Sequence, residues 1–236
     1  MTGTGVAWAV GGYLAGTFPS AWIVATATRA TAVLSGSGRT SGERDPHILM
    51  AKHVGVGWTV VAATLDVVKG FVYVLVARHV GHLDEGWLAL TGVSIVIGHC
   101  FPFYLKDMAG RGLAAAAGVL LVLLPVEMTV CGVLIVLGGV ARNTSLATTI
   151  GLASVPGIAA IQRQPGQIVA MGAGILAVIM VRRLEGVGEV VRSGISPGRA
   201  VLYRCIFDSS GPPSGRGVWD EQRGPARRGQ EQLPPA

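Results

Sequence analysis

The chain of 236 residues is half hydrophobic and only 14% charged, with 19 Lys and Arg against 13 Asp and Glu, a net charge of +6 and a mean hydropathy of +0.55. Soluble domains are about a quarter charged, so these charges are too few to cover a soluble globule, and an all-α integral membrane protein is expected. The basic residues sit in short loops between apolar blocks and near the C-terminus, which is the placement of membrane-orientation signals and argues against a nucleic-acid partner.

In chain order the apolar blocks predict about seven transmembrane helices, at 5–27, 54–77, 87–103, 113–124, 126–140, 145–161 and 167–181. No Lys or Arg precedes the first block, which marks it as a retained span and not a cleaved leader. The fourth and fifth blocks are divided only by Pro125, so a single kinked helix is the competing reading there.

Arg29, Arg39, Arg44 and Lys52 lie in the first loop, Lys106 and Arg111 in the third, Arg142 in the fifth, and Arg182-Arg183 after the last span. The odd-numbered loops and the C-terminal side are therefore the basic set, with Arg163 dissenting. This places the N-terminus outside and the C-terminus in the cytoplasm. Segments 35–53, 106–112, 142–145 and 182 onward then share one membrane face. Residues 1–195 make the membrane domain. Residues 196–236, rich in Pro, Gly, Arg and Gln, are expected to form a disordered cytoplasmic tail.

Within this frame Gly110-Arg111-Gly112 stands out. Glycines let backbone N–H groups approach an anion, the helix that follows brings a partly positive N-terminus, and the arginine fork suits phosphate oxygens. A simple basic turn before a span is the alternative. His99 closes the third span, either as a hydrogen-bonded interfacial residue or as a base. Asp66 and Lys69, three apart in an apolar segment, read first as a mutual structural pair. Cys100, Cys131 and Cys205 have neither CxxC nor metal-ligand spacing.

Four segments, in order, resemble motifs of the bacterial acyl-phosphate:glycerol-3-phosphate acyltransferases of the PlsY type. Gly12-Tyr13-Leu14-Ala15-Gly16-Thr17-Phe18-Pro19 resembles the family's GYLLGSIP, and Leu65, Asp66, Lys69 and Gly70 its LDxxKG. Gly98, His99, Phe101, Pro102, Gly110 and Gly112 match GHxFPxxxxxxxGKG, with Arg111 for the lysine. Arg142, Ser145 and Leu146 are similar to RYVSLSS.

The resemblance implies a seven-helix membrane enzyme of phospholipid synthesis in the bacterial inner membrane, with its active face cytoplasmic. Such an enzyme moves a fatty acyl group from acyl phosphate to the 1-hydroxyl of glycerol 3-phosphate, without cofactor or metal and without an obligate protein partner. It implies Ser41, Lys52, His99, Arg111 and Ser145 as catalytic residues. Gly42, Lys106, Gly110, Gly112, Arg142, Arg182 and Arg183 are implied to bind substrate or phosphate.

The chain departs from the pattern in several places. Of SGNxGATNxxR it keeps Ser41 and Gly42; Ile48-Leu49 replace the Thr-Asn pair, and Lys52 reaches the arginine position only after an inserted residue. Met108 replaces a common lysine, and the family's HRxN falls near 184–187, where Arg182 and Arg183 are the nearest anion ligands. Asp45 and His47 are either a substitute polar pair or part of a solvated loop. The alternatives are a non-catalytic relative that binds lipid headgroups or a partner, an acyltransferase with another acceptor, and a small transporter; no inverted repeat supports the last.

Overall fold

The computed structural model describes residues 2–35, 45–105 and 109–208. Among the described residues the chain is all helix, with no strand. Helix α1 (Thr2–Gly16) and helix α2 (Ser20–Ala27) divide what the hydropathy predicts as one span over 5–27. The cause is Pro19, which lacks an N–H and disfavours helical geometry at the residue before it.

A short α3 (Thr31–Leu34) follows, then α4 (Pro46–His53). Asp45 caps α4 by accepting from the backbone N–H groups of His47 and Ile48, and Pro46 occupies the first helical position, where no N–H is needed. Helix α5 (Val56–His79) is the longest, and α6 (Glu85–Cys100), capped by Asp84, stops just ahead of Pro102.

Helices α7 (Leu113–Leu123) and α8 (Pro125–Val140) are separate, with Pro125 opening the second. Helices α9 (Thr144–Ile161), α10 (Gly166–Leu184), α11 (Val187–Arg192) and α12 (Pro197–Phe207) complete the chain. Among the described residues three stretches are long and apolar enough to cross a membrane: Val56–His79, Thr144–Ile161 and Gly166–Arg192. Val6, Val10 and Leu14 on α1, and Val133, Val136, Leu137 and Val140 on α8, stay exposed. Such outward apolar stripes suit hydrocarbon and not water.

Helix α1 packs on α6, α5 on α7, α8 on α9, and α10 against both α6 and α9. In lipid there is little hydrophobic drive between helices, so close van der Waals approach has to hold them. Two glycine pairs supply it. A Cβ on Gly98 would lie 2.0 Å from the Tyr13 carbonyl oxygen, and one on Gly16 2.1 Å from that of Ile95. At the α5–α7 crossing a Cβ on Gly118 would lie 2.1 Å from the Val67 carbonyl oxygen, and one on Gly70 2.5 Å from that of Ala115. Between the crossings Ile95, Val96, Ala115, Ala116, Val119, Ile175 and Ile179 make a dry core.

The expected tail differs at its start. Ser196-Pro197 begins a helix instead of a solvated coil, and α12 buries Arg204 against α10 and α11. Residues 209–236 lie outside the described residues. The packing brings together the C-terminal ends of α1, α6 and α10 and the N-terminal ends of α7 and α9. The polar side chains gather at that end.

Candidate functional site

The site is built around the α1–α2 elbow. Ending α1 at Gly16 frees carbonyls that no helical N–H can reach. Lys69, from the middle of α5, donates to the carbonyls of Gly16 and Phe18, each at 2.9 Å. Tyr13 bonds the Phe101 carbonyl at 3.0 Å and Tyr104 bonds that of Thr17, so the segment after α6 is fastened to the same elbow.

Asp66, 1% exposed, is the hub. Its Oδ1 accepts from Ser20 Oγ at 2.8 Å and pairs with Lys69 Nζ at 2.7 Å, while Oδ2 lies 3.0 Å from His47 Nε2. His99 Nδ1 stands 3.4 Å from Asp66 Oδ1 and 3.0 Å from Lys69 Nζ. The sequence shows the Asp66–Lys69 pair, and the structure contains it. What spacing alone does not show is that Ser20, His47 and His99 join it.

His47 links the hub to a second carboxylate, Asp45, whose Oδ1 lies 3.7 Å from His47 Nδ1 and whose Oδ2 lies 3.0 Å from Arg111 Nε. Burial disfavours the His47 cation, but the carboxylates on either side outweigh it and push its pKa up to about 10. Burial likewise opposes the charge on Asp45, yet the hydrogen bond with His47 and the guanidinium of Arg111 hold its carboxyl well below the usual range. Asp45, buried, and His47, half-buried, are therefore a packed polar pair at the start of α4 and not part of a solvated loop.

Arg111 also pairs through Nη1 with Asp208, just past α12. On one side of it, a Cβ at Gly110 would meet His99 Nε2 at 2.0 Å, so only glycine lets the imidazole lie against the backbone here. On the other, Gly112 has φ +84 and faces Cys100 Sγ. Both glycines serve the turn into α7.

Arg182 fixes the loop from behind, donating from Nε to the Gly110 carbonyl at 3.3 Å and from Nη2 to that of Ala109 at 2.8 Å. It also pairs with Glu185 and lies over the Phe101 ring. Arg183 turns elsewhere. Its Nη1 donates to Thr149 Oγ1 at 2.6 Å and to the Cys205 carbonyl at 2.8 Å, which makes it a strut between α9 and α12.

The remaining expected residues are distributed as follows. Lys52 is exposed in the last turn of α4, and Arg142 is exposed with φ +57 between α8 and α9. Ser145 is half-buried in the first turn of α9, where its carbonyl accepts from Thr149. Ser41, Gly42 and Lys106 lie outside the described residues. Ser20 and Asp208 had no motif to reveal them. Only Pro19, which starts α2 at Ser20, offered a cue to the first.

A small, partly open cleft lies among Ser20, His47, Asp66, His99, Leu105 and Gly110. Ser20, His47, Asp66 and His99 of the hub form its polar side, and Ala109 and Gly110 border it where the glycine turn begins. Such a site can hold a polyol or phosphate against fixed charges, with apolar helices alongside for a hydrocarbon chain.

The sequence matches a family model described as glycerol-3-phosphate acyltransferase over residues 6–192. Among similar proteins is the glycerol-3-phosphate acyltransferase of Geotalea daltonii, 29% identical over 78% of this chain and 92% of that protein. That of Geobacter sulfurreducens is 32% identical over 74% of this chain and 88% of its own length. In fold the chain is similar to the crystal structure of PlsY (YgiH), an integral membrane glycerol 3-phosphate acyltransferase, in its glycerol 3-phosphate form. The TM-score is 0.67 at 22% identity, covering 80% of this chain and 92% of that one. By the extent of these matches, the chain belongs to the glycerol-3-phosphate acyltransferase family.

Proposed function

We propose that the protein is a membrane acyltransferase of phospholipid synthesis, which moves a fatty acyl group from acyl phosphate to the 1-hydroxyl of glycerol 3-phosphate. The observation that carries this reading is the family match over residues 6–192, within which Gly110, at the start of the glycine turn, and the Asp66 hub line one cleft. The hydroxyl oxygen attacks the acyl carbonyl carbon and the bond from that carbon to the phosphate oxygen breaks. The phosphate leaves with the electron pair and takes up the hydroxyl proton. Lysophosphatidate and inorganic phosphate result.

Because acyl phosphate is already activated, the protein has mainly to hold two anions, orient a hydroxyl and stabilise developing charge. Arg111 and the Gly110–Gly112 backbone would hold a phosphate. His99, held by Lys69 and Asp66, faces that turn and would orient the hydroxyl. Arg182 keeps the Ala109–Gly110 segment in place. Ser41, Gly42, Lys106 and Ser145 are proposed as further hydrogen-bond donors to phosphate, while Lys52, Arg142 and Arg183 add positive potential. Seven spans, an outside N-terminus, and an inner-membrane location with the site on the cytoplasmic side fit the loop charges.

Phosphate release from a long-chain acyl phosphate by the purified protein in lipid, with and without glycerol 3-phosphate, tests the reading. Release that requires both the acceptor and Arg111, read against Arg111→Ala, is expected. Release indifferent to the acceptor would point to hydrolysis or another acceptor, and silence from folded protein would sink the enzymatic reading.

A further inference from the structure

The family match ends at residue 192, yet the chain continues into α12, and α12 is not loosely attached. Arg204, 3% exposed, donates from Nε to the Arg183 carbonyl at 3.1 Å and from Nη2 to the Glu185 carbonyl at 2.8 Å. In return Arg183 holds the Cys205 carbonyl, and Thr149 Oγ1 donates to that of Ile206 at 3.0 Å. These contacts fix the last turn of α12 at the end of the bundle where the site lies.

The next residue is Asp208. Its φ of +50 is a left-handed conformation, unfavourable for a residue other than glycine. Its side chain is 7% exposed; one oxygen pairs with Arg111 Nη1, and the other, Oδ1, is buried with no hydrogen-bond partner among the described residues. A strained backbone and an unsatisfied buried carboxylate oxygen are both unfavourable, and here they coincide at one residue. Arg111 is thus held between two carboxylates, Asp45 on Nε and Asp208 on Nη1, on the guanidinium fork that suits a phosphate.

We propose that Asp208 is a specificity-determining residue, an internal anion delivered by the C-terminal extension that occupies Arg111 until a phosphate displaces it. The inference rests on the reading of Arg111 as a phosphate ligand. A singly charged carboxylate on a strained residue is a weak competitor for a dianionic phosphate. It is a strong one for the carboxylates and neutral polyols that resemble the substrates in shape. Asp208 therefore raises the concentration of phosphate needed for occupancy and screens the fork from weaker anions.

The test is binding of inorganic phosphate and of glycerol 3-phosphate to the full-length protein in lipid nanodiscs, followed by calorimetry. The proteins compared are the parent, Asp208→Asn, Asp208→Gly and Arg111→Ala. Glycine is included because it accepts the positive φ and keeps the end of α12 intact. Both Asp208 variants are expected to tighten phosphate binding about 3- to 30-fold, and to lower KM by a similar factor wherever turnover is measurable.

Unchanged or weakened binding would overturn the proposal, weakening being the mark of a residue that positions Arg111. Loss of folding in both variants would overturn it too, because the ion pair would then be structural and not displaceable. Parent-like binding by Arg111→Ala would remove its premise. Tightened phosphate binding in a protein that transfers no acyl group would leave this inference standing and refute only the acyltransferase reading.

Discussion

Replacing Asp66 with asparagine keeps the shape of the hub and removes its charge. Asp66 is surrounded by Lys69 at 2.7 Å, Ser20 at 2.8 Å, His47 at 3.0 Å and His99 at 3.4 Å. Removing one partner of a buried ion pair costs about 3–5 kcal/mol, because the remaining charge keeps its desolvation penalty. Lys69 would retain the carbonyls of Gly16 and Phe18, which points to the lower end, about 3 kcal/mol. That is a factor of roughly 100 in the folding equilibrium.

The assay is reversible unfolding in mixed micelles titrated with SDS, with phosphate release measured on the same samples. The double variant Asp66→Leu/Lys69→Met provides the control. Replacing a whole buried pair by apolar side chains of similar volume is often neutral, so it should recover most of the lost stability while remaining inactive. A single variant within about 1 kcal/mol of the parent, or a double variant no better than the single, would refute the view that Asp66 is the charge on which the hub depends.

The charge on His47 predicts a pH dependence. Its folded pKa is raised above the ordinary 6.5, so its contribution to stability is fully present below 6.5 and is lost as pH rises toward about 10. The parent should therefore lose stability between pH 7 and 10 relative to His47→Gln when both are unfolded across that range. Arg182→Ala removes two bonds to the Ala109–Gly110 backbone. With charge-assisted bonds contributing about 1.5–3 kcal/mol each, kcat/KM for phosphate release should fall by at least about 10-fold while helix content by circular dichroism stays unchanged. Gly118→Ala places a Cβ against the Val67 carbonyl at the α5–α7 crossing and should destabilise by about 1–3 kcal/mol in the SDS titration. Gly132→Ala, where a Cβ meets nothing within 4 Å, should be neutral there.

The helices were legible because each apolar block carries its own signal. Pro125 divides α7 from α8, and the His99 to Gly112 motif marks where α6 ends and α7 begins. The break at Pro19 was harder to see, since α2 continues the apolar run of α1 and only the local chemistry of proline separates them. In the site, Arg111, His99, Gly110 and Gly112 were found because they sit together in one motif. Ser20 and His47 reach Asp66 from 46 and 19 positions away, and nothing in their local sequence announces that meeting. Asp208 was hidden by its surroundings. The Gly- and Pro-rich composition beyond it is that of a solvated chain, and the partners of α12 lie on α9, α10 and α11, where no local pattern records them.

Helix α5 buries Ala62, Asp66, Gly70, Val74 and Ala77, residues that recur nearly every fourth position along one stripe. The same helix carries the charged hub and, one turn later, the glycine that meets α7. Chemistry and packing are thus locked in phase. An inserted residue between 57 and 65 would rotate everything before it by about 100° relative to the stripe, turning the link to α4 away from the site while Asp66 and Gly70 held their places. Descendants of this chain can therefore change letters along α5 but not its spacing, and differences in length between relatives should collect in the connections between helices.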